Sequence, residues 1–104
     1  MKRQSVFEYV VGLEVVDDEM YDEYRKNMMP ILKSFRGGFH YDFRIDEVLK
    51  TQSEDSINRV FTIYFPNKKT ADSFFSDSLY LKVKEKYFEK SVSSMTIIAE
   101  CEKQ

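Results

Sequence analysis

Two segments of the chain begin with similar strand-like sequences, and the same order of predicted elements follows each of them. VFEYVV starts at Val6 and VFTIYF starts at Val60, and both consist largely of β-branched and aromatic residues that favour strands. Each is followed by apolar residues at helical spacing and then by a second strand-like segment. This repeated pattern restricts the fold most, because it requires four strands and two helices in the order β-α-β-β-α-β.

Capping and breaking residues predict where the helices begin and end. The acidic run from Asp17 suits the start of helix one, and Pro30 is expected to kink or break that helix near Met29. Gly37 is expected to end it as a left-handed cap. Asn67 can cap the second helix, which the polar run 76–78 should interrupt. The apolar stripe of helix one is Met20, Tyr24, Met28, Ile31 or Leu32, and Phe35.

The segment FHYDFRIDEVL, which begins at Phe39, alternates apolar and polar residues as a strand does. The complete order of elements is that of the ferredoxin-like fold, an α+β fold. We therefore predict a four-stranded antiparallel sheet in the order 4-1-3-2 with both helices on one face. The odd-numbered strand residues carry no charge and are predicted to face the helices: Phe7, Tyr9, Val11, Leu13, Val15, Phe39, Tyr41, Phe43, Ile45, Phe61, Ile63, Phe65, Met95, Ile97, Ala99 and Cys101.

The even-numbered residues then form a sheet face that no helix of the same chain covers. Its centre is apolar, and a polar rim is expected from His40, Asp42 and Arg44. Such a face favours association with a second copy, so the chain is predicted to form a homodimer. The predicted contact residues are Val6, Val10, Val60, Tyr64 and Ile98.

Length and composition limit the remaining classes. The 104 residues suffice for one domain, predicted over 1–104. A net charge of −2 argues against nucleic acid, and no apolar run is long enough to span a membrane. Cys101 is the only cysteine and His40 the only histidine, so no metal site and no cofactor are predicted. A cytoplasmic location is expected.

Several short motifs resemble a family of small uncharacterised bacterial domains in the dimeric α+β barrel superfamily. They include Gly37-Gly38 before strand two, Phe65-Pro66 after strand three, and a Ser/Asp-rich step into Tyr80; Tyr24, Pro30-x-Leu32, Ala71 and Phe75 complete the set. The resemblance implies a homodimer whose sheets pack face to face. Members of the superfamily include cofactor-independent monooxygenases, lactone isomerases and heme-binding enzymes, whereas the family has no agreed activity. Relatives often carry an arginine where this chain has Lys86-Tyr87, so the resemblance does not supply a charged anchor for an acidic ligand.

His40 and Asp42 are the candidate catalytic residues. Histidine titrates near neutral pH, and Asp42 is predicted on the same strand face, within reach of orienting the ring. The alternative is that both are rim residues of an edge strand, since no nucleophile motif accompanies them.

Four tyrosines are the candidate ligand-binding residues. Tyr9 and Tyr41 are predicted to face the helices, and Tyr24 and Tyr80 come from the helices above them. Their phenols could line a pocket, or they could be large core residues with hydroxyls at the edge. The lysines of KVKEKYFEK interleave with acidic residues and are interpreted as a solvated helix face.

Two classes of function follow from the sequence. The first is a small enzyme of monooxygenase or isomerase type that acts on an aromatic or lactone-like molecule. The second is a non-catalytic dimeric module that binds a ligand or has a structural role. A ligand-sized cavity near Tyr9, Tyr24 and Tyr80 would favour the first class, and solid packing there would favour the second.

Overall fold

A computed structural model describes residues 5–103, so residues 1–4 and 104 of the predicted domain lie outside the described residues. The strands form one antiparallel sheet in the order β2-β3-β1-β4, which confirms the predicted α+β, ferredoxin-like architecture. The elements are β1 (Val6–Val15), α1 (Asp18–Ser34), β2 (Gly38–Arg44), β3 (Arg59–Phe65), α2 (Lys68–Phe75), α3 (Ser78–Val83) and β4 (Val92–Lys103). A π-helical turn, Lys84–Phe88, and a short α-helical turn, Glu89–Ser91, connect α3 to β4.

Side-chain caps start each helix where the sequence predicts a start or an interruption. Asp17 accepts a hydrogen bond from the backbone N–H of Met20 at 3.1 Å, and Asn67 accepts one from Thr70 at 2.8 Å. Asp77 caps α3, which confirms the interruption between α2 and α3.

The predicted break at Pro30 is wrong, because α1 continues to Ser34. Met28 and Leu32 are fully buried on either side of the proline, so both parts of the helix pack against the core.

The left-handed residue after α1 is Arg36, not Gly37. Arg36 has a φ of 62°, whereas none of the glycines in the described chain has a positive φ. Gly37 is needed for space instead, because a Cβ there would lie 2.5 Å from Cδ1 of Leu32 and 2.9 Å from the carbonyl oxygen of Tyr64. The predicted role of Gly37 as a left-handed cap is therefore wrong.

The core lies between the helices and the odd-numbered residues of the two central strands. Helix α1 buries one stripe against the sheet, and helices α2 and α3 add three residues beside it. The prediction that odd residues face the helices is confirmed for β1 and β3. The buried hydrophobic residues are Phe7, Tyr9, Val11, Leu13, Val15, Tyr21, Tyr24, Met28, Leu32, Phe61, Ile63, Phe65, Ala71, Phe74 and Tyr80.

A β-bulge at His40 reverses the alternation in the edge strand β2. Phe39 pairs with Ile63, but Tyr41 pairs with Thr62 and Phe43 with Val60, so one residue is inserted. Tyr41 and Phe43 therefore lie on the face without helices, 55% and 52% exposed. The predicted core positions of both residues are wrong, because a single inserted residue moves every later side chain to the other face.

A β-bulge at Ile98 reverses the alternation in the other edge strand, β4, in the same way. Val11 pairs with Ile97, whereas Val10 pairs with Ala99 and Glu8 with Cys101. Met95 and Ile97 lie on the helix side as predicted, but Ala99 and Cys101 lie on the other face, so their predicted positions are wrong. Both central strands keep their predicted faces, and both edge strands change theirs partway along.

Candidate functional site

A cavity of about 300 Å³ lies between the helices and the sheet, beside β4. Most of its wall is aromatic or aliphatic, as in pockets that bind small organic molecules. Met95 and Ile97, which are about half exposed, lie on its outer side. We call this cavity the tyrosine pocket. Its lining residues are Tyr9, Val11, Tyr24, Phe61, Ile63, Phe75, Tyr80, Lys84, Phe88, Met95 and Ile97.

Two phenols from different helices meet in the wall of the tyrosine pocket. The hydroxyl oxygens of Tyr24 in α1 and Tyr80 in α3 lie 2.9 Å apart and share a hydrogen bond. The bond uses one of the two hydroxyl hydrogens, and no other protein acceptor for the second lies within hydrogen-bond distance in residues 5–103. The second hydrogen is therefore free for an oxygen or nitrogen atom of a ligand.

Aromatic neighbours and a side-chain cap fix the positions of these two rings. Phe88 lies 5.0 Å from the Tyr24 ring, and Phe74 lies 4.3 Å from the Tyr80 ring, measured between centroids. Asp77, as the cap of α3, accepts hydrogen bonds from the backbone N–H groups of Leu79 and Tyr80, both at 3.0 Å. The phenol pair is thus held by packing and capping before any ligand arrives.

Burial disfavours ionisation of both phenols of the pair. It raises the pKa of the Tyr24 phenol well above the ordinary value, and the adjacent Tyr80 hydroxyl raises that pKa further. Burial also raises the pKa of Tyr80, although the hydrogen bond from Tyr24 offsets part of that rise. Both phenols are therefore protonated at neutral pH and can act as hydrogen-bond donors rather than as bases.

Lys84 is the one charged residue among the residues that line the tyrosine pocket. It is half-buried, whereas Lys82, Lys86 and Lys90 of the same segment are exposed. The interpretation of all these lysines as a solvated face is thus wrong for Lys84. The sequence carried a signal for this, because Tyr80, Lys84 and Phe88 recur every four residues and so share one helix face.

His40 and Asp42 lie on opposite sides of the sheet, and the structure does not bring them together. The His40 ring stacks on Tyr64 at 4.1 Å on the face without helices, and its Nδ1 lies 2.5 Å from a carboxylate oxygen of Glu8. Asp42 lies on the helix side, where it accepts hydrogen bonds from Arg59 and Arg25. The expectation that Asp42 orients His40 is wrong, because the bulge separates them.

The four candidate ligand-binding tyrosines also lie on different faces of the sheet. Tyr9, Tyr24 and Tyr80 line the tyrosine pocket. Tyr41 does not, because the bulge places it on the opposite face, where it stacks on Phe43 with ring centroids 5.9 Å apart. A place for Tyr41 in the pocket is therefore excluded.

Clusters of metal-ligating side chains and membrane-spanning helices are both absent from the described residues. Within residues 5–103, no group of three or more His, Cys, Asp or Glu side chains lies close enough to hold a metal ion. None of the helices described in that range has the length and apolar character needed to cross a bilayer.

The fold and the tyrosine pocket define an α+β protein with a ferredoxin-like sheet and a ligand-sized cavity under its helices. Residues 9–101 match the family described as a domain of unknown function (DUF1330), and the chain belongs to that family. This confirms the resemblance noted in the sequence. A comparison with curated protein sequences gives no match.

Solved structures share the fold at low sequence identity. A protein of unknown function from Rhodopseudomonas palustris is 13% identical, with a TM-score of 0.78 over 98% of this chain and 85% of that one. A dabb family protein with a ferredoxin-like fold from Mesorhizobium loti is 10% identical, with a TM-score of 0.58 over 97% of both chains. A candidate antibiotic biosynthesis monooxygenase from Nitrosomonas europaea is 12% identical, with a TM-score of 0.50 over 99% and 91%. At these identities, the comparison establishes the fold alone.

Proposed function

We propose that the protein binds an aromatic or lactone-like small molecule in the tyrosine pocket and acts on it as a small enzyme of isomerase or monooxygenase type. The observation that carries the proposal is the Tyr24–Tyr80 hydrogen bond in the wall of a largely apolar cavity of about 300 Å³. Apolar walls bind the body of such a molecule, and the unused phenol hydrogen binds its oxygen atom. Tyr9 and Lys84 are the other lining residues with polar groups.

The phenol pair supports chemistry in which a ligand oxygen gains negative charge. A buried O–H donor aimed at that oxygen stabilises an enolate or an opened lactone more than it stabilises the neutral ligand. The raised pKa values keep Tyr24 and Tyr80 protonated, as a donor of this kind requires. In this arrangement the tyrosines, not His40 or Asp42, contact the reacting molecule.

One observation favours the second class of function, a non-catalytic ligand-binding module. No carboxylate or imidazole is among the described residues that line the tyrosine pocket, so a general base would have to come from the ligand, from Lys84 or from water. The two classes differ in one measurable property: the enzyme converts the bound molecule, and the binding module releases it unchanged.

We also propose that the protein is a homodimer through the face without helices. Val6, Val10, Val60 and Tyr64 lie half-buried on that face, and Ile98 is 50% exposed. The bulge at His40 adds apolar surface that the sequence pattern assigned to the other face, namely the exposed rings of Tyr41 and Phe43. His40 and Lys103 both contact Glu8, so its carboxylate is paired within the chain and can be covered without a further partner.

A thermal-shift screen of aromatic and lactone-like molecules, with coumarin as the first probe, tests the proposed function. A ligand that binds the folded state must raise the melting temperature. Ile97→Trp should fill the outer side of the pocket and abolish the shift. Leu81→Trp is the matched control, because Leu81 has a similar exposure, 44% against 45%, and does not line the pocket. Incubation with each stabilising compound followed by mass spectrometry and chromatography then separates conversion from simple binding.

The proposed function is wrong if none of these molecules stabilises the protein. It is also wrong if the stabilising compounds raise the melting temperature of Ile97→Trp as much as that of wild type.

A further inference from the structure

The position of Lys84 limits the charge of the molecule that the tyrosine pocket takes. Lys84 is the only charged residue among the lining residues, and it is half-buried in an otherwise aromatic and aliphatic wall. In the part of the chain that the structure describes, no carboxylate oxygen lies within 4.0 Å of its ammonium group. Its charge is therefore not neutralised by a partner at the pocket.

Four other cations on or near the sheet differ from Lys84 in this respect. Arg25 and Arg59 share the carboxylate of Asp42, with N–O distances of 3.1 Å and 2.9 Å. Lys68 pairs with Asp72, and Lys103 pairs with Glu8. These four side chains already have carboxylate partners, whereas the charge at the pocket does not.

The backbone at Lys84 is also unusual. Lys84 begins the π-helical turn, and its carbonyl oxygen accepts a hydrogen bond from the N–H of Glu89, five residues later. The turn lies between Tyr80 and the last residues before β4, and its final residue, Phe88, lines the same pocket. Single π-helical turns inserted in helices often occur at functional sites, which agrees with a binding role for this turn.

We infer that the ligand of the tyrosine pocket is an apolar acid that carries one negative charge, with its carboxylate on the ammonium group of Lys84 and its apolar body in the pocket. The inference rests on the proposed function, because it names the chemical class of the molecule bound at the same site. An unpaired, half-buried ammonium group gains a charge-assisted hydrogen bond from such a carboxylate, whereas a neutral ligand leaves it without a partner. A ligand with several charges would place the others against apolar wall, where no described residue can pair with them.

Two probes of almost the same size and shape test the inference: 2-naphthoate, which is an anion at neutral pH, and 2-naphthamide, which is neutral. Their dissociation constants are measured by calorimetric titration at low ionic strength. Wild type should bind naphthoate about fivefold to tenfold more tightly than naphthamide, the range expected for one partly exposed charge-assisted hydrogen bond. The preference should decrease at high salt, because salt screens an exposed ion pair.

Substitution of the lysine separates its charge from the packing of the pocket. Lys84→Met should bring the two dissociation constants together by weakening naphthoate alone, and Lys84→Arg should restore the preference. Lys82→Met is the matched control, because Lys82 lies in the same helical segment, is exposed and does not line the pocket, and it should leave the preference unchanged.

The possible failures have different meanings. Equal binding of both probes by wild type, or a preference for naphthoate that survives in Lys84→Met, overturns the inference and leaves the pocket as a binding site for neutral molecules. If neither probe binds, the inference is overturned, and the proposed function is overturned with it only if coumarin and the other screened molecules also fail to raise the melting temperature.

Discussion

Tyr24 and Tyr80 join helices α1 and α3 through a single hydrogen bond of 2.9 Å between their hydroxyl groups. The residues are far apart in the sequence, and each lies on its own helix with 5% of its surface exposed. Since the bond leaves one hydroxyl hydrogen without a protein acceptor in residues 5–103, the pair is both a structural contact and a donor site. This double role is the basis of the proposed function.

We predict that Tyr24→Phe and Tyr80→Phe each weaken the binding of coumarin about fivefold to tenfold, because each removes a hydroxyl group that supplies or orients the hydrogen bond to the lactone carbonyl. Naphthalene has no oxygen, so its affinity should change little. Tyr64→Phe is the control, since Tyr64 lies on the opposite face of the sheet. Titration of each variant with both molecules checks this, and an equal loss for coumarin and naphthalene would show that the hydroxyl groups act through packing alone.

Phe43→Asp should give a folded protein that no longer forms the proposed dimer. The Phe43 ring is 52% exposed on the face without helices, so a carboxylate there is hydrated in the monomer but unpaired in the dimer. Light scattering should give wild type a mass of twice 12.4 kDa and the variant a mass of 12.4 kDa. Circular dichroism should show that the variant keeps its secondary structure.

A carboxylate introduced on the helix side of the sheet should have a different effect from Phe43→Asp. Phe61 is 7% exposed beneath the helices, so Phe61→Asp should prevent folding. Wild type at the mass of one chain would contradict the proposed dimer, and an intact dimer in Phe43→Asp would show that the interface lies elsewhere.

Asp42→Asn should lower the free energy of unfolding at pH 7 by about 1 to 2 kcal/mol, the scale of lost charge-assisted hydrogen bonds at a partly exposed site. Asp42 binds Arg59 through both carboxylate oxygens and also binds Arg25. The substitution leaves two arginines without their shared anion, and Nη2 of Arg25 already lacks a hydrogen-bond partner among the described atoms. Urea denaturation at one protein concentration measures the difference.

The same ion pairs predict how that difference depends on pH. Burial acts to raise the pKa of Asp42, but the hydrogen bond from Arg59 and the charges of both arginines outweigh burial and lower it. The stabilisation is therefore complete above the unfolded pKa of about 3.9 and is lost as the pH falls through the lower folded value. The difference between wild type and Asp42→Asn should therefore be constant above about pH 4 and should narrow as the pH falls below that value. Asp46→Asn, at an exposed residue without an ion pair in the described chain, is the control and should leave the free energy of unfolding at pH 7 nearly unchanged.

Substitutions of Arg36 and Gly37 should have opposite effects on stability. Gly37→Ala places a methyl group against Leu32 and the backbone of Tyr64, so it should cost about 1 to 3 kcal/mol through overpacking. Arg36→Gly removes the strain of a non-glycine residue at a φ of 62° and should raise the free energy of unfolding by up to about 1 kcal/mol. Thermal unfolding of both variants checks the pair. A Gly37→Ala variant as stable as wild type would contradict the claim that Gly37 is needed for space beside Leu32 and Tyr64.

The sequence was sufficient to predict the fold and the faces of the central strands. Strands β1 and β3 alternate without interruption, so the parity of Tyr9 and Phe61 predicted their burial. Edge strand β2 contains one inserted residue, at His40, and edge strand β4 contains two, at Ser93 and Ile98. Alternation in the sequence does not reveal an insertion. One bulge therefore accounts for the wrong positions of Tyr41, Phe43 and Asp42.

The candidate site was predictable to a similar extent. Tyr24 and Tyr80 were predicted to converge because both come from helices that pack on the same face of the sheet. Lys84 was missed because the acidic residues near it in the sequence suggested a solvated face, although its spacing from Tyr80 and Phe88 matched the buried side of the helix.

Nuclear magnetic resonance of protein labelled with ¹³C at the tyrosine rings, titrated with coumarin, tests the central claim most directly. The rings of Tyr24 and Tyr80 line the pocket, whereas those of Tyr41 and Tyr64 lie on the other face of the same sheet and serve as internal controls. We expect coumarin to shift the resonances of Tyr24 and Tyr80 and to leave those of Tyr41 and Tyr64 in place. Unchanged resonances at Tyr24 and Tyr80, or shifts confined to Tyr41 and Tyr64, would contradict a binding site in the tyrosine pocket.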